Sequence, residues 1–162
     1  MSYKIGQGYD VHQLKANLPL ILGGVNIPHS KGILAHSDGD ILIHSIIDAI
    51  LGACNKGDIG SIFPNNDSSK NMSGLLMLET IRHDLKIGLN IFISNIDATI
   101  ILQTPKLLPY IESMKNNIAH SLEINPKFIS IKATTTDYLG VIGQEKGIAC
   151  LAVCLLNEGK IS

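Results

Sequence analysis

Three side chains near the start of this chain form a set that could hold a metal ion. Asp10 and His12 stand two apart in Gly8-Tyr9-Asp10-Val11-His12, which reads as a β-strand, so both leave the same face of a sheet. A second imidazole follows in the segment Ala35-His36-Ser37-Asp38-Gly39-Asp40, or just beyond it at His44. One carboxylate and two imidazoles suffice for a catalytic zinc that keeps its fourth position open. The spacing leaves either His36 or His44 to complete the set. Asp48, four residues after His44 on the same helical face, is placed either to orient that ring or to sit in solvent.

Two further segments carry chemistry. Lys132-Ala133-Thr134-Thr135-Thr136-Asp137 ends a strand with three hydroxyls and free amides, groups that grip phosphate oxygens, and Asp137 could hold a hard cation such as Mg²⁺. It is not a Walker sequence, because no Gly-Lys-Ser/Thr is present. Gln103-Thr104-Pro105-Lys106-Leu107-Leu108-Pro109 joins a strand to a helix, and its backbone could line a flat pocket for a base.

The elements that must position these groups alternate in period. Tyr3–His12 reads as the first strand and Pro19–Pro28 as a hairpin turning at Gly23-Gly24. Ile43, Ile46, Ile47, Ile50 and Leu51 recur at helical spacing, with Ser37 or Asp38 as N-cap. Gly57–Ser73 is a long polar stretch, of a length that is usually either functional or mobile, and its Asp58-Ile59-Gly60 and Phe63–Asp67 segments either close over a ligand or are plain loop. A second helix opens at Ser73 and closes near Gly88. Ile91–Gln103 is a β-branched strand, and Pro109 suits the first turn of a third helix with Ile111, Met114, Ile118 and Leu122 inward. Phe128–Thr134 and Ile148–Leu156 complete the strands. Interleaved strands and helices in 162 residues predict one α/β (α+β) domain spanning 1–162. Its single-layer mixed sheet carries helices on one face and a small extra hairpin.

Composition narrows the function classes. A net charge of −1 provides no electrostatic footprint for nucleic acid or an anionic membrane. Cys54, Cys150 and Cys154 are odd in number with no C-x-x-C pair, which fits reduced thiols. The apolar run Gly147–Leu156 is about half of the ~20 residues that span a bilayer. With no secretory pattern at the start, the expected location is the cytoplasm.

Read in order, GYDVH, GGVNIP, KGILAHSDGD, LIHSIIDAILGA, GDIGSIFPNND, QTPKLLP, KATTT and GIAC resemble the 2-C-methyl-D-erythritol 2,4-cyclodiphosphate synthase family, over nearly the whole chain. The resemblance implies Asp10, His12 and His44 as zinc ligands, with His36 and Ser37 contacting substrate and His36 helping to stabilise the transition state. Asp58, Ile59, Gly60, Phe63, Pro64, Asn65, Asn66 and Asp67 would bind the methylerythritol phosphate. Leu102, Gln103, Thr104, Pro105, Lys106, Leu107 and Leu108 would form the cytidine pocket. Thr134, Thr135, Thr136 and Asp137 would grip the diphosphate, with Thr135 beside the transferring phosphorus and magnesium or manganese on Asp137. It also implies a homotrimer with active sites shared between subunits. The activity implied is intramolecular attack of a 2-phosphate on the β-phosphorus of a cytidine diphosphate derivative, with loss of CMP. That reaction needs charge neutralisation and alignment more than acid–base help.

There are two departures from the family pattern. Asp137 stands where the family commonly has Glu, one methylene longer. Gln144-Glu145-Lys146 occupies a turn where many relatives carry an anion-binding arginine, so that second ligand site is not carried over. Two other classes compete with the lyase: a catalytically silent binding module and a zinc hydrolase. The complete Asp/His/His set with Thr135 speaks against the first. The lack of an HExxH-type glutamate beside the ligands speaks against the second.

Overall fold

A computed structural model describes residues 2–35, 38–64, 72–87 and 90–159. The strands are β1 (Ser2–Ala16), β2 (Leu20–Leu22), β3 (Val25–Ile27), β4 (Lys31–Ile33), β5 (Ile91–Ile101), β6 (Ile129–Thr134) and β7 (Gly147–Glu158). The helices are α1 (Ile41–Ala53), α2 (Ile59–Ile62), α3 (Gly74–Asp84), α4 (Ile111–Leu122) and α5 (Gly140–Gly143). One mixed sheet runs β4-β1-β7-β5-β6, and β2-β3 forms the separate hairpin. Every pairing in the large sheet is antiparallel except β5 with β6. The expected architecture is therefore present.

The sheet has two unlike faces. Gly6, Gly8, Cys150, Ala152 and Cys154 face α1 and are buried, while α4 packs over β6 and against α3. Alternate positions of β1 point the other way and carry large apolar side chains that no helix among the described residues covers: Tyr3, Ile5, Tyr9 and Val11 are all at least half exposed.

The first helix differs from its expected amphipathic form. Ile41 and Leu42 are as buried as Ile43, Ile46, Ile47, Ile50 and Leu51, because the sheet covers one side and α3 and the hairpin approach others. Its N-cap is Asp40, whose side chain accepts from the Ile43 amide, and not Ser37 or Asp38. Ser37 lies outside the described residues, and Asp38 is used elsewhere. Ser73 caps α3 as expected, accepting from the Leu76 amide. Pro109 sits in a single 3₁₀ turn, Leu108–Tyr110, that leads into α4. Inside that helix Met114, Ile118 and Leu122 are buried and Ile111 is half-buried. The polar stretch after Gly57 contains a short helix, α2, which the pattern of polar residues conceals.

Candidate metal centre and nucleotide pocket

Residues 10, 12 and 44 come together because β1 and α1 touch backbone to backbone. A Cβ on Gly8 would lie 2.0 Å from the Ser45 carbonyl oxygen, and one on Gly6 would lie 1.8 Å from that of Ala49. No side chain separates strand from helix at these points. His44, the neighbour of Ser45, is thereby brought against the even-numbered face of β1, where Asp10 and His12 project. The ligand atoms of Asp10, His12 and His44 all lie within 4.8 Å of one another.

The contacts inside this group suit a cation. His44 Nδ1 lies 3.2 Å from Asp10 Oδ2, and His12 Nδ1 lies 3.1 Å from Asp10 Oδ1. His12 Nδ1 is buried, yet it has no aligned hydrogen bond. A lone pair and a carboxylate oxygen at that separation converge as two ligands do. Metal bonds of ~2.0–2.1 Å in a tetrahedron give edges of about 3.3 Å. Burial pushes the Asp10 carboxyl up, but the close approach of His12 and His44 outweighs this and holds it far below the usual range. For His44, burial favours the neutral ring, and Asp10 with the more distant Asp40 and Asp38 turns the balance toward the charged form. A bound cation would compete with that proton.

Three further carboxylates organise the surroundings. Asp38 Oδ1 accepts from the Asp40 amide and Oδ2 from the Gly74 amide, tying the start of α1 to the start of α3. Its Oδ1 is also 4.0 Å from His44 Nε2. Asp40, fully buried, accepts from the Gly23 and Gly24 amides at 3.0 and 2.7 Å and so locks the hairpin turn onto α1. Asp48 does neither of the two things expected of it. Its Oδ1 accepts from the Ile59 amide at 2.7 Å, which fastens α2 beside α1.

That bond sets the place of the expected methylerythritol segment. Asp58 caps α2, accepting from the Ser61 amide and hydroxyl at 2.8 and 2.7 Å. Ile59, Ile62 and Phe63 rest against the core, and Gly60 and Pro64 are exposed. His36, Ser37, Asn65, Asn66 and Asp67 lie outside the described residues.

The third expected segment does form a cavity. A space of about 470 Å³ is lined by Leu102, Gln103, Pro105, Lys106, Leu107 and Leu108 from the β5–α4 connection, by Ile111, by Ile131 to Thr134 from β6 and by Thr135 just after it. Thr104 is not in that lining, because its hydroxyl donates to Glu145. The Thr-rich end of β6 is only partly free for a ligand. The Thr136 hydroxyl donates to the Leu139 carbonyl, and that of Thr134 to the Thr135 carbonyl. The Thr135 hydroxyl is 3.4 Å from Asp137, which is exposed and in left-handed backbone (φ 49°). Asp137 belongs to no cluster of metal-ligating side chains among the described residues. Sequence reading did not single out Ile111 and Ile131 as pocket residues. Both were legible as apolar residues of α4 and β6, but nothing local marks which apolar residues border a cavity.

The two half-sites occupy opposite ends of one row of the sheet. Asp10 pairs with Cys150, Cys150 with Ile100, and Ile100 with Ala133. Three strand spacings separate Asp10 from Ala133 by roughly 14 Å. The residues between them, Cys150 and Ile100, are fully buried.

The comparisons with known proteins agree with this geometry. The YgbB family model matches residues 3–157. A protein of Clostridium botulinum named 2-C-methyl-D-erythritol 2,4-cyclodiphosphate synthase is 52% identical over 95% of this chain and 99% of its own length. The solved structure of Plasmodium falciparum IspF in complex with CDP superposes with a TM-score of 0.85 at 40% identity, covering 98% of both chains. The bifunctional IspDF of Campylobacter jejuni superposes with a TM-score of 0.92 at 40% identity, and this chain covers 43% of that longer one. Matches of this extent, together with the ordered motifs, establish that the chain belongs to the YgbB family of 2-C-methyl-D-erythritol 2,4-cyclodiphosphate synthases.

Proposed function

We propose that this chain converts 4-diphosphocytidyl-2-C-methyl-D-erythritol 2-phosphate to 2-C-methyl-D-erythritol 2,4-cyclodiphosphate and CMP. The observation that carries the reading is the convergence of Asp10, His12 and His44 within 4.8 Å, in a chain whose β5–α4 connection opens a nucleotide-sized cavity. An oxygen of the 2-phosphate attacks the β-phosphorus. The bond from that phosphorus to the oxygen bridging the α-phosphate breaks, and CMP leaves with the oxygen. The nucleophile is already anionic, so no proton need be removed.

The chain's task is alignment of mutually repelling phosphates. Asp10, His12 and His44 would hold zinc, which when bound supplies a Lewis acid for a phosphate oxygen. Leu102, Gln103, Pro105, Lys106, Leu107 and Leu108 would line the cytidine subsite, with Thr104 beside them. Thr135, one of the residues lining that cavity, would meet the transferring phosphorus, and Asp58 to Phe63, fastened by Asp48, would bind the methylerythritol phosphate. His36 and Ser37 are assigned to substrate as well. Asp137, a lone carboxylate, would share magnesium or manganese with the substrate phosphates, as such ions usually require.

The reading includes a homotrimer in the cytoplasm, each chain a single unit over 1–162. A buried row separates the metal group from the cavity within one chain, which supports a site shared between neighbouring copies. The exposed Tyr3, Ile5, Tyr9 and Val11 supply an apolar face for such an assembly. No helix among the described residues is long and apolar enough to cross a membrane.

Incubation with the cytidine substrate and Mg²⁺, followed by phosphorus NMR, tests the reading. CMP and cyclic diphosphate are expected, and both should vanish with His44→Ala. Linear hydrolysis products would instead indicate a zinc hydrolase, and ligand binding without turnover a silent module.

A further inference from the structure

The turn between α5 and β7 departs from the family pattern at Gln144-Glu145-Lys146, and in this chain it reaches Thr104, beside the nucleotide cavity. Glu145 adopts left-handed backbone (φ 56°), and its carboxylate joins two distant segments. Oε1 accepts from the Thr104 hydroxyl at 2.8 Å, and Oε2 accepts from Lys31 Nζ at 3.1 Å. Lys31 Nζ also donates to the Glu145 carbonyl at 3.1 Å. Lys31 is part of β4, held by its pairing with Ala16 of β1. Thr104 stands between Gln103 and Pro105, which both line the cavity while Thr104 does not. The Gln103 side chain is itself held, accepting from the Tyr138 amide at 3.2 Å.

A half-exposed ion pair such as Lys31–Glu145 adds little to stability by itself. Its effect here is to keep one carboxylate oxygen aimed at Thr104. We propose that Glu145 is a positioning residue for nucleotide recognition. Anchored by Lys31, it fixes Thr104 and with it the Gln103–Pro105 wall of the cavity. This rests on the reading of that cavity as the cytidine subsite.

Calorimetric titration of the zinc-loaded protein with CDP tests both levels. Glu145→Ala and Thr104→Val should each weaken CDP binding by roughly 5- to 10-fold, the scale of one ordinary lost hydrogen bond. The double variant should be no weaker than either single one. Glu145→Gln keeps an oxygen for Thr104 and should bind within about 2-fold of the parent chain. In turnover, KM of Glu145→Ala should rise by the same factor with kcat unchanged. CDP binding by the parent chain with an unaltered Glu145→Ala would overturn the positioning role alone. So would additive penalties in the double variant, or Glu145→Gln as weak as Glu145→Ala. A parent chain that binds no CDP would overturn the subsite reading and the positioning role together.

Discussion

Gly8→Ala is the smallest change that should dismantle the metal centre without touching a ligand. The new Cβ would lie 2.0 Å from the Ser45 carbonyl oxygen and 2.9 Å from the Ala49 nitrogen, all backbone of α1. Contacts of this kind are not made below about 3.0 Å, so α1 must retreat by about 1 Å at Ser45. His44 is the adjacent residue and must move with it, against an Nδ1–Asp10 separation of only 3.2 Å. Ligand geometry tolerates about ±0.2 Å, so the displacement exceeds the tolerance several-fold. Overpacking of this type costs about 1–3 kcal/mol, which for a chain of this size lowers Tm by roughly 2–12 °C. The sharper readout is zinc affinity by competition with a chromogenic chelator, expected to fall at least about tenfold. Gly52→Ala is the control. Its Cβ would meet only the Gln7 carbonyl oxygen at 3.9 Å, and Ala in a helix gains about 0.5–1 kcal/mol over Gly. Wild-type zinc affinity in Gly8→Ala would refute the claim that backbone contact between strand and helix builds the site.

Asp48→Ala should raise KM for the full substrate by about 5-fold, through loss of the bond that fastens α2, while leaving CDP affinity unchanged. Equal loss of both would contradict the separate placement of the two substrate segments. The Asp40 carboxyl is pushed up to about 6 by burial, with the Asp38 charge adding to the rise, despite three amide bonds that favour the anion. Unfolded, it titrates near 4, so its contribution to stability is complete below that value and is lost as pH rises through about 6. The stability of the parent chain relative to Asp40→Asn, measured by urea unfolding, should therefore decline from pH 4 to 6.5, and a rise over that range would contradict the assignment. The Cys150 and Cys154 thiols are pushed up to about 12 by burial. Iodoacetamide at pH 8 should spare both in the native protein and label them in guanidinium, as mass spectrometry would show.

The Asp10–His12 part of the candidate metal centre was legible because alternation in a strand is a local property: the two needed only a period of two to share a face. Choosing His44 over His36 was not a local matter and came from the ordered motifs of the whole chain. Gly6 and Gly8 carried the missing spatial signal. Two glycines at i and i+2 on the buried face of a strand leave room for a helix backbone, and α1 occupies that room. Short polar contacts across long sequence separations were illegible. Asp48 looked like a partner for His44 because helical spacing favours i,i+4 pairs, yet the Ile59 amide, eleven residues away, binds it instead. Asp40 prevailed over Asp38 as N-cap because only its side chain reaches the Ile43 amide while also holding the hairpin glycines. Glu145 offered no pattern at all, since both of its partners belong to distant elements.

The buried row from Asp10 to Ala133 would have a genetic consequence in the proposed trimer. A His44→Ala chain would lack the metal half but retain an intact nucleotide half, and a Thr135→Ala chain would be its complement. Each would be inactive alone. If the proposed trimer shares its sites between subunits, refolding the two together in equal amounts would give about a quarter of the sites both intact halves from neighbouring chains. Two dead proteins would thus recover activity by mixing, as alleles that complement one another do, whereas a site contained in one chain would stay silent.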